Sequence, residues 1–111
     1  KKNKLPFTPT SISKYYGKFP QGSFDIDIVA YNAKTKTALY MEVKWSEIDY
    51  SRAQNIVNTL AEKTAYVKIR PLKKYYGLVA KKILNKEKLR EEKIIAIDIN
   101  DLKALPSFKN I

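Results

Sequence analysis

The sequence predicts a single α/β domain with a mixed sheet, in which an antiparallel hairpin is followed by strands joined through helical crossovers. Two stretches of alternating apolar residues, separated by a polar turn, predict the hairpin. A helical repeat, an apolar stretch, a short charged helix and a last apolar stretch follow, which gives the order β-β-α-β-α-β. A length of 111 residues leaves room for one domain.

The segment at the start of the chain, residues 1–23, is predicted to be a loop-like arm that packs on a domain of residues 24–111. It is rich in lysine and has no Asp or Glu. Its regular structure is interrupted by Pro6, Pro9, Gly17, Pro20 and Gly22, although residues 12–16 have room for one helical turn. We expect the arm to pack through five apolar side chains: Leu5, Phe7, Ile12, Tyr15 and Tyr16.

The hairpin consists of alternating stretches at 24–31 and 37–45. Alternation places four residues of each strand on one apolar face that is expected to be core: Phe24, Ile26, Ile28 and Ala30, then Leu39, Met41, Val43 and Trp45. A four-residue loop at 33–36 makes the numbers of paired residues sum to 69. Asp27 then lies opposite Glu42, and Asp25 lies opposite Lys44.

The remaining elements follow from helical spacing and from apolar runs. Residues 51–54 match a capping box, so a helix is predicted to begin there and to run to about Lys68, with a short strand at 65–69 as the alternative. Further predictions are a buried strand at 75–80, a charged helix at 84–92, a strand at 94–99 and a turn at 101–105.

The composition excludes several classes of chemistry and of location. The chain contains no Cys and no His, which removes disulfides, thiolate zinc sites, a cysteine nucleophile and the commonest general base. There is no long apolar run and no apolar stretch at the start, so we expect a cytoplasmic protein that does not span a membrane. The chain lacks an initiator Met, which suggests an excised piece, and its wealth of Lys, Ile and Tyr is typical of hyperthermophiles.

Asp27, Glu42 and Lys44 form the set of residues with the clearest chemical meaning. Two adjacent carboxylates repel each other unless a cation lies between them, and hard oxygen ligands select Mg²⁺ or Mn²⁺. The carbonyl of Val43 is a further candidate ligand. A lysine beside such an ion stabilises charge on an attacked phosphate, so the set points to phosphodiester hydrolysis. The alternative is a solvated sheet face with ordinary cross-strand ion pairs.

The same two strands carry a family resemblance. Ile-Asp-Ile-Val-Ala at 26–30 and Glu-Val-Lys-Trp at 42–45, followed after the helix by Tyr-Tyr-Gly-Leu-Val at 75–79, resemble the PD-(D/E)XK nuclease-like superfamily. More narrowly, residues 15–100 are similar to the uncharacterised nuclease-like domain at the C-terminus of archaeal AAA-type ATPases. The resemblance implies a restriction-endonuclease-like mixed sheet with flanking helices.

The resemblance also implies roles for individual residues. Asp27 and Glu42 would bind the metal and Lys44 would assist the attacking water. Some members of the superfamily use a Gln or Lys from the next helix, which makes Gln54 an accessory candidate, although a helix cap explains it equally well. Asp25 is either a second acid or a surface residue. Members commonly supply another glutamate from a preceding helix, whereas residues 1–24 contain no acid, so that helix lies outside this piece or catalysis is reduced or absent.

Basic residues are concentrated between Lys63 and Arg90, where ten Lys or Arg accompany Glu87 as the single acid. Such a block attracts phosphates, and it lies in a chain whose net charge is +11. The alternative is surface solvation of a hyperthermophile protein. Seven of these residues are predicted to hold the backbone of nucleic acid, with DNA as the expected partner: Lys63, Lys68, Arg70, Lys73, Lys74, Lys81 and Lys82.

Together these features predict a Mg²⁺- or Mn²⁺-dependent nuclease-like DNA-processing domain, appended to an archaeal ATPase whose upstream domain would be a partner in the same chain. The alternative is a catalytically inactive module that binds nucleic acid or protein. A second copy of the chain is a further candidate partner. Because no Gly-x-x-x-x-Gly-Lys loop occurs, no ATP site of that type is expected in this piece.

Overall fold

The computed structural model describes residues 6–103, which form one five-stranded sheet with helices packed against it. The elements are β1 (Ser11–Phe19), β2 (Gly22–Asn32), β3 (Thr37–Ile48), α1 (Tyr50–Thr64), β4 (Lys73–Ile83), α2 (Lys86–Glu91), β5 (Ile94–Ile97) and α3 (Ile99–Lys103). The strands lie side by side in chain order, antiparallel from β1 to β3 and parallel from β3 to β5. The predicted α/β class with a mixed sheet is confirmed.

The segment before residue 24 differs from the loop-like arm that its Gly and Pro content predicts, because residues 11–19 form the edge strand β1. The prolines lie outside this strand, so they do not interrupt its hydrogen bonds. Gly17 lies inside it, where a Cβ atom would come within 2.5 Å of the Phe24 ring. Pairing with β2 therefore determines the conformation here, and no helical turn forms at 12–16.

The side chains of this segment pack only in part as expected. Phe7 and Tyr15 contact the core clusters, whereas Ile12 and Tyr16 are exposed. The reason is that alternate residues of an edge strand point to opposite faces, and only one of these faces is covered near Tyr15. Leu5 lies outside the described residues.

The hairpin register agrees with the prediction, since the observed pairs run from Asn32 opposite Thr37 to Ile28 opposite Met41 and each sums to 69. The predicted faces are wrong for the first half of β2. Its pairing with β1 shifts by one residue, from Ser13 opposite Val29 to Tyr15 opposite Ile26, which is a β-bulge at 27–28. Because of the extra residue, side chains before the bulge point to the opposite face of the sheet from the one that simple alternation predicts.

The bulge divides the apolar residues of β2 between two core clusters. Ile26 packs with Val29 and with Leu60 of α1 on the helix side of the sheet. Ile28 packs against Leu39 on the opposite side. The four residues that simple alternation assigns to one face therefore serve both faces.

Trp45 and Val43 are exposed, contrary to the prediction that they belong to the core. Both follow Met41 on the same side of β3, but the recorded pairing with β2 ends at Met41. The pairing of β3 with β4 also shifts between Lys44 and Glu47, so that Trp45 lies in an irregular stretch. The apolar alternation of β3 therefore continues beyond Met41, into a part of this face that is exposed.

Helix α1 is capped by Asp49, whose side chain accepts a hydrogen bond from the Arg52 N–H at 2.8 Å. The predicted capping box of residues 51–54 is therefore wrong, because Ser51 already lies within the helix. The buried face consists of Ala53, Val57, Leu60 and Thr64. Beyond Thr64 the chain leaves the helix and forms no strand at 65–69, and Val67 reaches the same core from the connecting segment.

This cap gives a direct test. Replacing Asp49 by alanine should lower the free energy of unfolding by about 1 kcal/mol, because the Arg52 N–H at the end of the helix loses its acceptor. Ser51→Ala is the matched control and should change it by less than about 0.5 kcal/mol. Urea denaturation followed by circular dichroism measures both values. A larger loss for Ser51→Ala than for Asp49→Ala would contradict the assignment.

The later elements occur near their predicted positions. Strand β4 is longer than expected, α2 is shorter, and β5 ends at Ile97, where α3 follows closely. The predicted turn at 101–105 overlaps α3, and its residues 104 and 105 lie outside the described part. No described helix has the length and apolar character required to cross a membrane.

Candidate active site

Asp27 lies in the bulge of β2, directly where the recorded pairing of β2 with β3 ends. Its Oδ2 atom accepts a hydrogen bond from the Val43 N–H at 2.8 Å. The carboxylate thus takes the place that a strand carbonyl would occupy if the ladder continued. This bond fixes Asp27 beside the β3 residues 42–44, as the register predicts.

Glu42 is buried and faces α1, where Lys63 lies. The Lys63 ammonium donates to Glu42 Oε2 at 2.8 Å and to the Asp25 carbonyl at 2.9 Å. The Lys63 side chain is only 18% exposed. A buried carboxylate needs a partner charge and hydrogen bonds, and Lys63 supplies both. Lys63, which the sequence assigns to nucleic-acid binding, is therefore engaged with Glu42 inside the site.

The two acids influence each other's protonation. Burial raises the pKa of Glu42 and the neighbouring Asp27 raises it further, while Lys63 opposes both effects. Burial also acts to raise the pKa of Asp27, but the Val43 N–H, a hydrogen bond with Glu42 and the charge of Lys14 outweigh it, so this pKa lies below its usual value. Such a divergence is typical of two carboxyl groups that share one site.

Lys44 lies two residues beyond Glu42 on β3 and is exposed. Both residues line a pocket of about 360 Å³ between β3 and α1. The helix contributes the other lining residues: Arg52, Asn55, Ile56, Thr59 and Lys63. Glu42 and Lys44 thus share this pocket, and Asp27, which does not line it, lies beside them through its hydrogen bond from the Val43 N–H.

Sequence reasoning missed Arg52, Asn55 and Thr59 as pocket residues. Their spacing of three and four residues, continued by Lys63, is that of a single helix face. This face adjoins the buried face of α1. The helical spacing shows that these residues share one face, but no feature of the neighbouring sequence shows that this face is turned toward Glu42.

Neither of the two accessory candidates, Gln54 and Asp25, lines this pocket. Gln54 donates to the Tyr50 hydroxyl at 2.9 Å and to Glu92 Oε1 at 3.4 Å, and it does not line the pocket. The Asp25 carboxylate lies 3.5 Å from the Lys14 ammonium and is half-exposed. Asp25 contributes to the site through its backbone carbonyl, which accepts from Lys63.

The other predicted DNA-binding residues lie in three places. Lys68 and Arg70 belong to the segment between α1 and β4, and the Arg70 guanidinium donates to the Val67 carbonyl. Lys74 pairs with Ala38, which is four residues before Glu42 and hence about 13 Å away along the strand, and Lys73 precedes it. Lys81 and Lys82 lie at the other end of β4, where Lys82 pairs with Glu47.

Residues 6–103 contain no group of three or more His, Cys, Asp or Glu side chains placed to hold a metal ion. The Asp27 and Glu42 carboxylates and the Val43 carbonyl are nevertheless hard oxygen donors. Mg²⁺ often binds through one or two carboxylates and keeps water in its other positions. The residues therefore fit Mg²⁺ or Mn²⁺, provided that Lys63 moves away from Glu42.

Comparisons with known proteins give a family match and one relative. The sequence profile of DUF234, described as archaeal and bacterial proteins of unknown function, matches residues 1–57. An uncharacterised protein of Methanocaldococcus jannaschii is 36% identical over 87 residues, which is 78% of this chain and 19% of the relative. This chain thus spans about a fifth of that protein. No solved structure matches.

Proposed function

The chain belongs to the DUF234 family of archaeal and bacterial proteins of unknown function, and we propose that it is a metal-dependent nuclease-like domain that hydrolyses phosphodiester bonds of DNA. The observation that carries the proposal is that the Asp27 carboxylate, in the β2 bulge, accepts the Val43 N–H at 2.8 Å, which places it beside Glu42 and Lys44, the two neighbours of Val43 on β3. The PD-(D/E)XK resemblance of the same strands is consistent with this function.

Each residue of the site has a proposed role. Asp27, Glu42 and the Val43 carbonyl would hold Mg²⁺ or Mn²⁺, and the bound ion would polarise the phosphate and lower the pKa of a water molecule. Asp27 is ionised at neutral pH because its pKa is lowered, so it is ready to bind a cation. Lys44 would stabilise the negative charge that develops on the attacked phosphate.

The setting of the domain is also part of the proposal. The Methanocaldococcus jannaschii relative is about five times longer than the matched region, which is compatible with an upstream ATPase domain in the same chain. The net charge of +11 favours a polyanionic partner, and the composition favours a hyperthermophile. We further propose a cytoplasmic location, as the sequence predicts.

Titration of Mn²⁺ by calorimetry tests the metal site. We expect saturable binding, weakened at least about tenfold in Asp27→Asn and in Glu42→Gln, because each substitution removes a charged oxygen ligand. Glu47→Gln is the matched control, since it removes an exposed carboxylate of the same strand that does not line the pocket. If all four proteins bind Mn²⁺ equally, or none binds it, the proposed metal site is wrong.

One observation favours a second candidate, a module that binds nucleic acid without cleaving it. Lys63 already places a positive charge on Glu42, the role that a metal ion would otherwise fill. A wild-type chain that binds DNA but neither binds Mn²⁺ nor cleaves DNA in its presence would support this candidate over the nuclease.

A further inference from the structure

We propose that the pocket between β3 and α1 binds phosphate groups of nucleic acid without a divalent ion, because Lys63 supplies the positive charge that offsets Glu42. The inference rests on the proposed function only for its class of ligand. It concerns binding in the absence of metal, so it can fail while metal-dependent cleavage stands, and the reverse also holds.

The first step of the argument is the balance of charge. A carboxylate at the base of a pocket repels phosphate, but Glu42 lies 2.8 Å from the Lys63 ammonium. Asp27 accepts the Val43 N–H and lies 3.8 Å from the Lys14 ammonium. Glu42 is therefore compensated by Lys63, and Asp27 in part by the Val43 N–H and by Lys14, which it shares with Asp25.

The second step concerns the cations that are left over. Lys44 and Arg52 line the pocket, and neither forms an ion pair with any residue between 6 and 103. Arginine binds phosphate through two parallel N–H donors, and lysine binds it as a point charge. The pocket therefore carries an excess of positive charge once Glu42 and Lys63 have neutralised each other.

The third step concerns neutral donors on the same helix face. The Asn55 amide and the Thr59 hydroxyl lie between Arg52 and Lys63 along α1 and line the same pocket. From Arg52 to Thr59 the helix rises by about 10 Å. Side chains of this kind commonly donate to phosphate oxygens. The face thus presents a row of donors beside Lys44, as binding of a nucleic-acid backbone requires.

This arrangement assigns Lys63 a positioning role that differs from direct contact with DNA. The Lys63 ammonium donates to Glu42 and to the Asp25 carbonyl, so its effect on the phosphate is indirect. Its removal should expose the Glu42 charge to the bound phosphate and thereby weaken binding. Removing both charges together should restore binding, because an uncharged pair leaves the pocket with the same excess charge.

Binding of a fluorescein-labelled 20-nucleotide single-stranded DNA, measured by anisotropy at low salt in EDTA, tests the inference. We expect Kd to rise about tenfold in Lys63→Met and in Arg52→Met. The double variant Glu42→Gln with Lys63→Met should return to within about twofold of wild type. Lys34→Met is the matched control, because it removes one lysine charge from the turn between β2 and β3.

Two results with these variants, and a third with Mn²⁺, would overturn the inference. One is an Arg52→Met Kd equal to that of Lys34→Met, which is informative even if Lys63→Met does not fold, since Arg52 is exposed. The other is a double variant that binds no better than a folded Lys63→Met. DNA binding that requires Mn²⁺ would also contradict the inference while leaving the nuclease proposal standing. DNA binding in EDTA by a chain that does not bind Mn²⁺ would support the inference and contradict the nuclease proposal.

Discussion

Replacing Asp98 by alanine is expected to lower the free energy of unfolding by about 3 to 5 kcal/mol, the cost of removing one member of a buried ion pair. Asp98 is 2% exposed and follows β5. It accepts from the Lys86 ammonium at 2.9 Å and from the N–H groups of Ile83 and Asn100. The substitution would leave these donors without that acceptor.

The surroundings of Asp98 show why the loss should be large. Lys86 also contacts Asp101, which in turn accepts from Arg90 and from the Asp98 N–H. Burial acts to raise the pKa of Asp101, but these donors together lower it to about 2. The network joins β4, α2 and the start of α3, so its disruption affects three elements.

Chemical denaturation of Asp98→Ala measures this loss, and Glu87→Gln provides the control. Glu87 lies 3.9 Å from Arg90 on the surface with 82% of its side chain exposed, so its substitution should cost less than about 0.5 kcal/mol. If Asp98→Ala costs no more than Glu87→Gln, the network does not stabilise the fold as described.

Replacing Lys44 by methionine is expected to lower the cleavage rate at saturating DNA and Mn²⁺ by about 100-fold. The proposed role of Lys44 is to stabilise charge that develops on the phosphate during the reaction, and loss of one such group typically costs 10² to 10³ in kcat. Lys44 is exposed in the same pocket as Glu42 and forms no ion pair with the described residues, so its ammonium is available for this role.

Cleavage of a labelled duplex and of a single strand under single-turnover conditions measures this effect. Lys34→Met again serves as the control, because it removes an equal charge far along the hairpin from Glu42. A Lys44→Met rate within twofold of the Lys34→Met rate would contradict the proposed role. A wild-type chain without cleavage would instead favour the non-catalytic binding module.

The register of the hairpin was accessible from local information alone. Parity of the alternating stretches and a four-residue loop place Asp27 opposite Glu42. The structure has this register as far as Ile28 opposite Met41, and Asp27 follows directly beyond that pair, in the bulge. Lys44 then follows on the same side because strand residues alternate. The three residues of the proposed site were therefore predictable without any knowledge of the surrounding fold.

Other features depend on contacts between distant segments. β1 forms because residues 11–19 pair with β2, although their Gly and Pro content suggests a loop. The bulge at Asp27 appears only when β2 is compared with β1, and simple alternation therefore misassigns Ile26 and Ile28.

By itself, the sequence determined the α/β class, the hairpin register and the meeting of two acids with a lysine, because each follows from residue spacing along one or two adjacent strands. The tertiary structure alone decided that Lys63 neutralises Glu42, that Arg52 faces the pocket and that Gln54 does not. These outcomes depend on how α1 is rotated against the sheet. That rotation is set by packing of Leu60 and Val57 in the core, which is a long-range property of the whole fold.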